Sequence, residues 1–328
     1  MAKAPLSGDI TLAAGLRDLL RSVHPVASVA VVVPGSATVG SYGAPLESEF
    51  EVGSLSKAFT GLLYADAVER GTVRPTTLLG DVLPISGCAA AQVTLGSLAT
   101  HASGLPRLPK GAQTVTKTLE LWTRGTNPYG ETLAELLDQA IRTPVGHVGR
   151  HRYSNLGFQL LGHAVAAAES TTYPALLRDR ITAPLGMDST YVVETLEDLR
   201  PAAIRGRTRS GRARDSWIGE ALAPAGGIRS TAGDLSLLSA ALLDGTAPGA
   251  TALDPVERFA GPAVRIGAAW MVLGRKGRDI TWHNGQTGGF ASWWGLDRAA
   301  GAGVVILSGA SASVDRHGFE LLEAVTPG

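Results

Sequence analysis

An α/β (α+β) fold is predicted: an antiparallel sheet flanked by helices, built from both chain ends, with an inserted, mainly helical lobe. Two observations lead there. Runs of β-branched and apolar residues at strand spacing gather near the two ends of the chain, at 26–52 and 264–307. Between them, apolar residues recur at helical spacing in short pieces joined by Gly- and Pro-rich loops. Distant strands that share one sheet leave the intervening helices as an insertion. We therefore expect one domain over 1–328, with a sheet-and-helix lobe from 1–75 and 225–328 and a helical lobe from 76–224.

Each element has its own signal. Leu12, Leu16, Leu19 and Leu20 give Thr11–Ser22 one apolar face, suited to a helix lying on a sheet. Val26–Val33 is β-branched, Pro34-Gly35-Ser36 turns it, and Ala37–Tyr42 returns as a hairpin, followed by a short strand at Phe50–Val52. Leu55, Ala58, Phe59, Leu62 and Leu63 then follow helical spacing to a stop at Gly71. Leu78–Leu83, Leu95–Leu98, Thr132–Ile141, Leu156–Ala168 and Pro174–Ile181 read as further helices. Arg200–Arg214 holds six arginines among small and polar residues, and reads as an exposed, solvated loop rather than an anion-binding patch. Strands return at Val264–Leu273, Asp279–His283, Ala291–Leu296 and Gly303–Leu307, with turns at Lys276-Gly277 and Asp297-Arg298, and Val314–Val325 closes the chain as a helix.

Composition narrows the function. The 328 residues suffice for a large core, and a net charge of zero argues against a general nucleic-acid or membrane-surface binder. The expected partner is a small molecule. Cys88 is the only cysteine, so there is no internal disulfide and no Cys-based zinc site. The seven histidines show no H-E-x-x-H spacing, and no cofactor or metal is expected. His101, His147, His151 and His163 read as structural or surface residues. No stretch has the roughly 20 apolar residues of a membrane span, and the start lacks the apolar run of a secretory signal, which makes the cytoplasm the expected location. A mature form carrying a new Met1 would read the same way.

The chemistry centres on Ser54-Leu55-Ser56-Lys57, where a strand gives way to a helix. Residues three apart on a helix share a face, so the Lys57 amine can reach the Ser54 hydroxyl. Burial in the apolar layer around it would lower the lysine pKa and make the amine a base near neutrality. Ser54 can alternatively serve as a plain helix N-cap. No G-x-S-x-G elbow occurs in the chain, which disfavours an α/β-hydrolase.

Two further stretches bear on that choice: Tyr153-Ser154-Asn155, and His283-Asn284-Gly285-Gln286 ahead of the Trp293-Trp294 strand. With Ser54-Leu55-Ser56-Lys57, in this order, they resemble the S-x-x-K, Y-x-N and K-T-G or H-x-G boxes of the serine β-lactamase and penicillin-binding protein superfamily, most closely its class C and esterase branch. The likeness extends to Thr94–Pro106 (TLGSLATHASGLP), to Pro184-Leu185-Gly186-Met187 and to Pro224–Asp234 (PAGGIRSTAGD), over roughly residues 25 to 310.

The resemblance implies a β-lactamase/transpeptidase-like catalytic domain and a set of roles. Ser54 would form an acyl-enzyme, with Lys57 and Tyr153 sharing the proton traffic. Asn155 would hold Lys57 and a substrate amide, and the backbone N–H groups of Ser54 and Gln286 would make the oxyanion hole. His283, Asn284 and Gly285 would line the substrate, as would one of Trp293 and Trp294, with Trp293 the candidate. A Lys57 ammonium beside Tyr153 would stabilise the phenolate.

The third box departs from the β-lactamase pattern, because His283 replaces a permanent cation. Substrate carboxylates would be held less firmly there. The leading expectation is a serine hydrolase of a small ester or amide. An acyltransferase using the same acyl-serine is the second reading, and a non-catalytic binding protein of the same fold the third. The motifs carry no signal for oligomeric state.

Overall fold

The structure is a computed structural model that describes residues 4–20, 23–108, 126–261 and 263–326. Nine strands form one antiparallel sheet: β1 (Leu6–Gly8), β2 (Ala27–Val33), β3 (Ser36–Tyr42), β7 (Glu257–Ala260), β8 (Val264–Ile266), β9 (Met271–Arg275), β10 (Arg278–Gln286), β11 (Ala291–Asp297) and β12 (Ala302–Ser308). Their spatial order is β1-β3-β2-β12-β11-β10-β9-β8-β7. The N-terminal hairpin therefore joins the C-terminal strands through β2 and β12, with Val29 opposite Ile306. A smaller sheet orders β4 (Phe50–Glu51), β6 (Ile228–Ser230) and β5 (Tyr191–Val192) as β4-β6-β5.

Every residue of β11 and β12 is buried, because both faces of the sheet are covered. That explains why these strands read as continuous apolar runs. Val304, Ile306 and Trp293 face the Ile10–Leu20 and Asp315–Val325 helices, through Leu16, Leu20 and Leu322. Val305, Leu307 and Trp294 face the other way, into the larger core that holds the Ser56–Glu69 helix. From Ser56 to Ala67 that helix is buried on all sides. Such a helix has no polar face to lose, and Lys57 goes inside with it.

Several sequence expectations shift by a residue or two. The helix expected at Thr11–Ser22 is Ile10–Leu20, with residues 21 and 22 outside the described ones. Thr132 caps Leu133–Arg142, and Ser154 caps Asn155–Ala168. Pro174–Ile181 becomes a short helix, Tyr173–Leu177, that opens into a π turn over Arg178–Thr182. The single strand expected over Val264–Leu273 is broken in two. Between β8 and β9 the chain turns, with Gly267 N–H donating to Trp270 O and Ala269 at φ +70°. The turn lets Ala268 press on the buried helix so closely that a Cβ at Gly61 would lie 2.1 Å from its carbonyl oxygen.

Helix 155–168 carries a buried histidine whose titration can be read in stability. His163 Nε2 lies 3.2 Å from Glu220 O, and burial lowers its pKa from 6.5 to about 4. Between those values the unfolded chain binds the proton and the folded one does not, so His163 makes stability rise with pH from 4 to 6.5 and fall as acid is added. His163→Gln keeps a donor for Glu220 O and removes the titration. Chemical denaturation across this window should give a slope shallower than the wild type by up to about 1.4 kcal/mol per pH unit. Equal slopes would mean that His163 is protonated in the folded protein.

Candidate active site

Ser54 sits on a 3-10 turn, Gly53–Leu55, between β4 and the Ser56–Glu69 helix. The helix is capped at Leu55 without a side-chain bond, so Ser54 is not its N-cap. Its hydroxyl points to the other two groups: Lys57 Nζ lies 3.1 Å and Tyr153 OH 2.6 Å from Ser54 Oγ. Lys57 also donates to Ala225 O at 2.6 Å. Tyr153 arrives from the segment just before helix 155–168, 99 residues away in sequence.

The electrostatics differ from the expected ammonium–phenolate pair. Lys57 is fully buried, and desolvation, followed by the nearby positive charge of Arg107, holds its pKa well below the ordinary lysine value. Desolvation pushes the Tyr153 phenol up, against weaker opposing pulls from Ser54 and Arg107. Burial penalises both charged forms and so favours a neutral amine beside a neutral phenol. Lys57 Nζ lies 5.0 Å from the Tyr153 ring centroid.

Two glycines bring the third box against Ser54. Gly53 has φ +54°, and a Cβ there would meet Gln286 N at 2.9 Å. A Cβ at Gly285 would lie 2.1 Å from Val52 O and 3.0 Å from Ser54 N. Thr287 N–H donates to Phe290 O across the β10–β11 turn. Alternation along an antiparallel ladder then directs the Gln286 N–H to the opposite edge, the side where Gly53 lies. The backbone N–H groups of Ser54 and Gln286 thus border one small region.

The other expected residues divide. His283 is buried with 1% exposure on the inner face of β10, its Nδ1 2.7 Å from Asn284 O and its Nε2 without a partner among the described residues. Burial, with Lys57 adding to it, lowers its pKa to about 4. Asn284 alternates to the outer face, where Nδ2 donates to Asp315 Oδ2 at 2.8 Å, so its side chain leaves the site. Gln286 also points outward and donates to Ser311 O. Asn155 does not hold Lys57, whose bonds go to Ala225 and Ser54. Instead its Nδ2 donates to Tyr129 OH at 3.3 Å, while its buried Oδ1 has no partner among the described residues.

Trp293 is a correction. It is fully buried on the face away from Ser54, its ring 5.0 Å from that of Phe319. Trp294 lies on the same side of the sheet as the buried helix, but it too is core, bonded to Ser239 Oγ and set against Phe59 and Trp270. Neither indole lines the site.

Sequence reasoning passed over His101 and Arg107. His101 has φ +58°, its ring lies 4.6 Å from that of Tyr153, and its Nδ1 accepts from Ser154 N–H. The guanidinium carbon of Arg107 lies 5.7 Å from the Tyr153 ring. Both belong to or adjoin TLGSLATHASGLP, and that segment was the signal available. No group of three or more potential metal ligands occurs among the described residues.

A family model described as Beta-lactamase matches residues 14–322. The chain belongs to the beta-lactamase family. Similarity to individual members of the beta-lactamase family is lower but broad. The D-alanyl-D-alanine-carboxypeptidase/endopeptidase AmpH of Escherichia coli K12 is 29% identical over 195 residues, which is 58% of this chain and 48% of that protein. The human putative beta-lactamase-like 1 is 28% identical over 286 residues, 81% of this chain and 55% of its own. This chain thus spans about half the length of these curated relatives. A class C beta-lactamase superposes with a TM-score of 0.81 at 19% identity, covering 98% of both chains, which establishes the fold. A D-alanine carboxypeptidase AmpC from Burkholderia cenocepacia gives 0.77 at 22% identity, covering 96% of this chain and 98% of that one. This β-lactamase-like fold belongs to the serine hydrolase superfamily. No described helix is long and apolar enough to cross a membrane.

Proposed function

We propose that this protein cleaves a small ester or amide through an acyl-serine at Ser54. The observation that carries the reading is the convergence of Lys57 Nζ and Tyr153 OH on one serine oxygen, with the lysine driven toward its neutral form. Ser54 Oγ attacks the carbonyl carbon as its proton passes to the Lys57 amine. The carbonyl oxygen takes negative charge beside the N–H groups of Ser54 and Gln286. On collapse the carbon–leaving-group bond breaks, Tyr153 OH protonates the departing atom, and the Lys57 ammonium restores the phenol. Water then repeats the cycle on the acyl-serine.

A panel of short p-nitrophenyl esters, a chromogenic cephalosporin and D-amino-acid amides tests this. Ester or amide turnover that disappears in Ser54→Ala supports it, and turnover of none of the three sinks it. The D-amino-acid amides enter the panel because of the carboxypeptidase relative.

His283 sets the expected preference within that panel. Its side chain is neutral down to about pH 4, so no cation stands at the third box. The ratio of KM values for a carboxylate-bearing and a neutral substrate should stay flat from about pH 7.5 to about 5.5. His283→Lys should lower KM for the cephalosporin by at most about fivefold, because burial and the neighbouring Lys57 work against a charge at this position, and leave neutral esters unchanged. A lysine variant that lowers both KM values alike would place His283 away from the carboxylate end of the site.

A further inference from the structure

The arginine-rich stretch expected to be solvated is not wholly so. Arg207 pairs with Ala213 in a short hairpin, and at its end Arg214 retains only 9% exposure. Arg214 lines an open pocket of about 560 Å³ together with Arg200, Arg205 and Arg229, against a single carboxylate, that of Asp215. Three of the four cations have partners. Arg229 pairs with the buried Glu51, Arg205 lies 3.6 Å from Asp215, and Arg200 donates to Asp188 O and lies 4.0 Å from Glu49. Among the described residues the Arg214 guanidinium has neither hydrogen bond nor ion pair, its nitrogens keeping some contact with solvent, and the buried Nε of Arg229 has no partner either.

A guanidinium without a counter-ion on the wall of a pocket lined by three further arginines is placed to take an anion from solution. Leu199 and Ile204 supply an apolar wall beside the charge. We propose that this pocket is a second binding site, for a small organic anion whose carboxylate or phosphate head pairs with Arg214 and whose apolar body lies on Leu199 and Ile204. The planar fork of Arg214 suits two parallel bonds to either head. None of Ser54, Lys57 and Tyr153 lines the pocket. A route to the reaction site exists nonetheless. The backbone N–H of Trp217 donates to Glu51 Oε1, and the Trp217 ring meets that of Tyr129, which accepts from Asn155.

Thermal shift and calorimetry with phenyl phosphate, inorganic phosphate and phenol test the proposal. Phenyl phosphate should raise Tm saturably in the wild type and equally in Ser54→Ala, inorganic phosphate should act more weakly, and phenol should have no effect. Arg214→Gln should weaken phenyl phosphate by about tenfold or more while ester turnover stays within about twofold. Arg214→Met keeps the stem, and in anion-free buffer should fold at least as stably as the wild type. Three results would overturn the site: no response up to about 20 mM, equal responses of wild type and both Arg214 variants, or loss of the response in Ser54→Ala. Failure of both Arg214 variants to fold would show that the free protein already balances this charge, and would overturn it as well.

Discussion

Exposure to a fluorophosphonate should add one covalent group, at Ser54, and Ser54→Ala should abolish both the adduct and turnover. Loss of a nucleophile of this kind lowers turnover by on the order of 10⁴–10⁶. Intact-mass spectrometry with peptide mapping checks the position. Ser56 is the internal control, since its hydroxyl is fully buried and accepts from Ile228 N–H. An adduct on Ser56, or full turnover by Ser54→Ala, would refute the assignment. Folding should be unaffected, because Ser54 caps no helix.

Lys57→Ala and Tyr153→Phe should each lower turnover by on the order of 10²–10⁴, the range of general acid–base groups. Both act on the same oxygen, so their losses should not add, and the double variant should be about as slow as the slower single one. Fully additive losses would argue for separate roles. The two differ in one respect that steady-state kinetics can read. Lys57→Ala removes the base whose lowered pKa sets the acid limb of the pH profile, whereas Tyr153→Phe should keep that limb.

How far the chain declared itself depended on range. The Ser54–Lys57 pair was legible because residues three apart on a helix must share a face. Tyr153 and the third box came only through resemblance, since no local rule joins residues 99 or more apart. Alternation on β11 told that Trp293 and Trp294 part company. What covers each face is tertiary: Trp293 fits because Gly318 leaves room, a Cβ there meeting its ring at 2.2 Å. Lys57 is held by the carbonyl of Ala225, a backbone atom with no signal in residue identity. The resemblance therefore assigned that contact to Asn155. The break at 267–270 was hidden for a similar reason, since it sits where Ala268 meets Gly61, a contact between segments far apart in sequence.

The joining of β2 to β12 has a consequence for how the protein comes to be active. Pairing Ala27–Val32 with Gly303–Ser308 closes a loop of almost the whole chain, so the central sheet is dominated by contacts between residues far apart in sequence. Such topologies fold slowly, because the entropy of loop closure is lost before the strands reward it. While the C-terminal strands are still in the ribosome, β10 and β11 are absent, and the turn bearing Ser54 has no Gly285 or Gln286 beside it. A nascent chain therefore carries Ser54 and Lys57 before the strand that borders them. Newly made molecules pass through a period in which an apolar hairpin edge is open to other chains, which sets a limit on how fast this protein can be produced without aggregation.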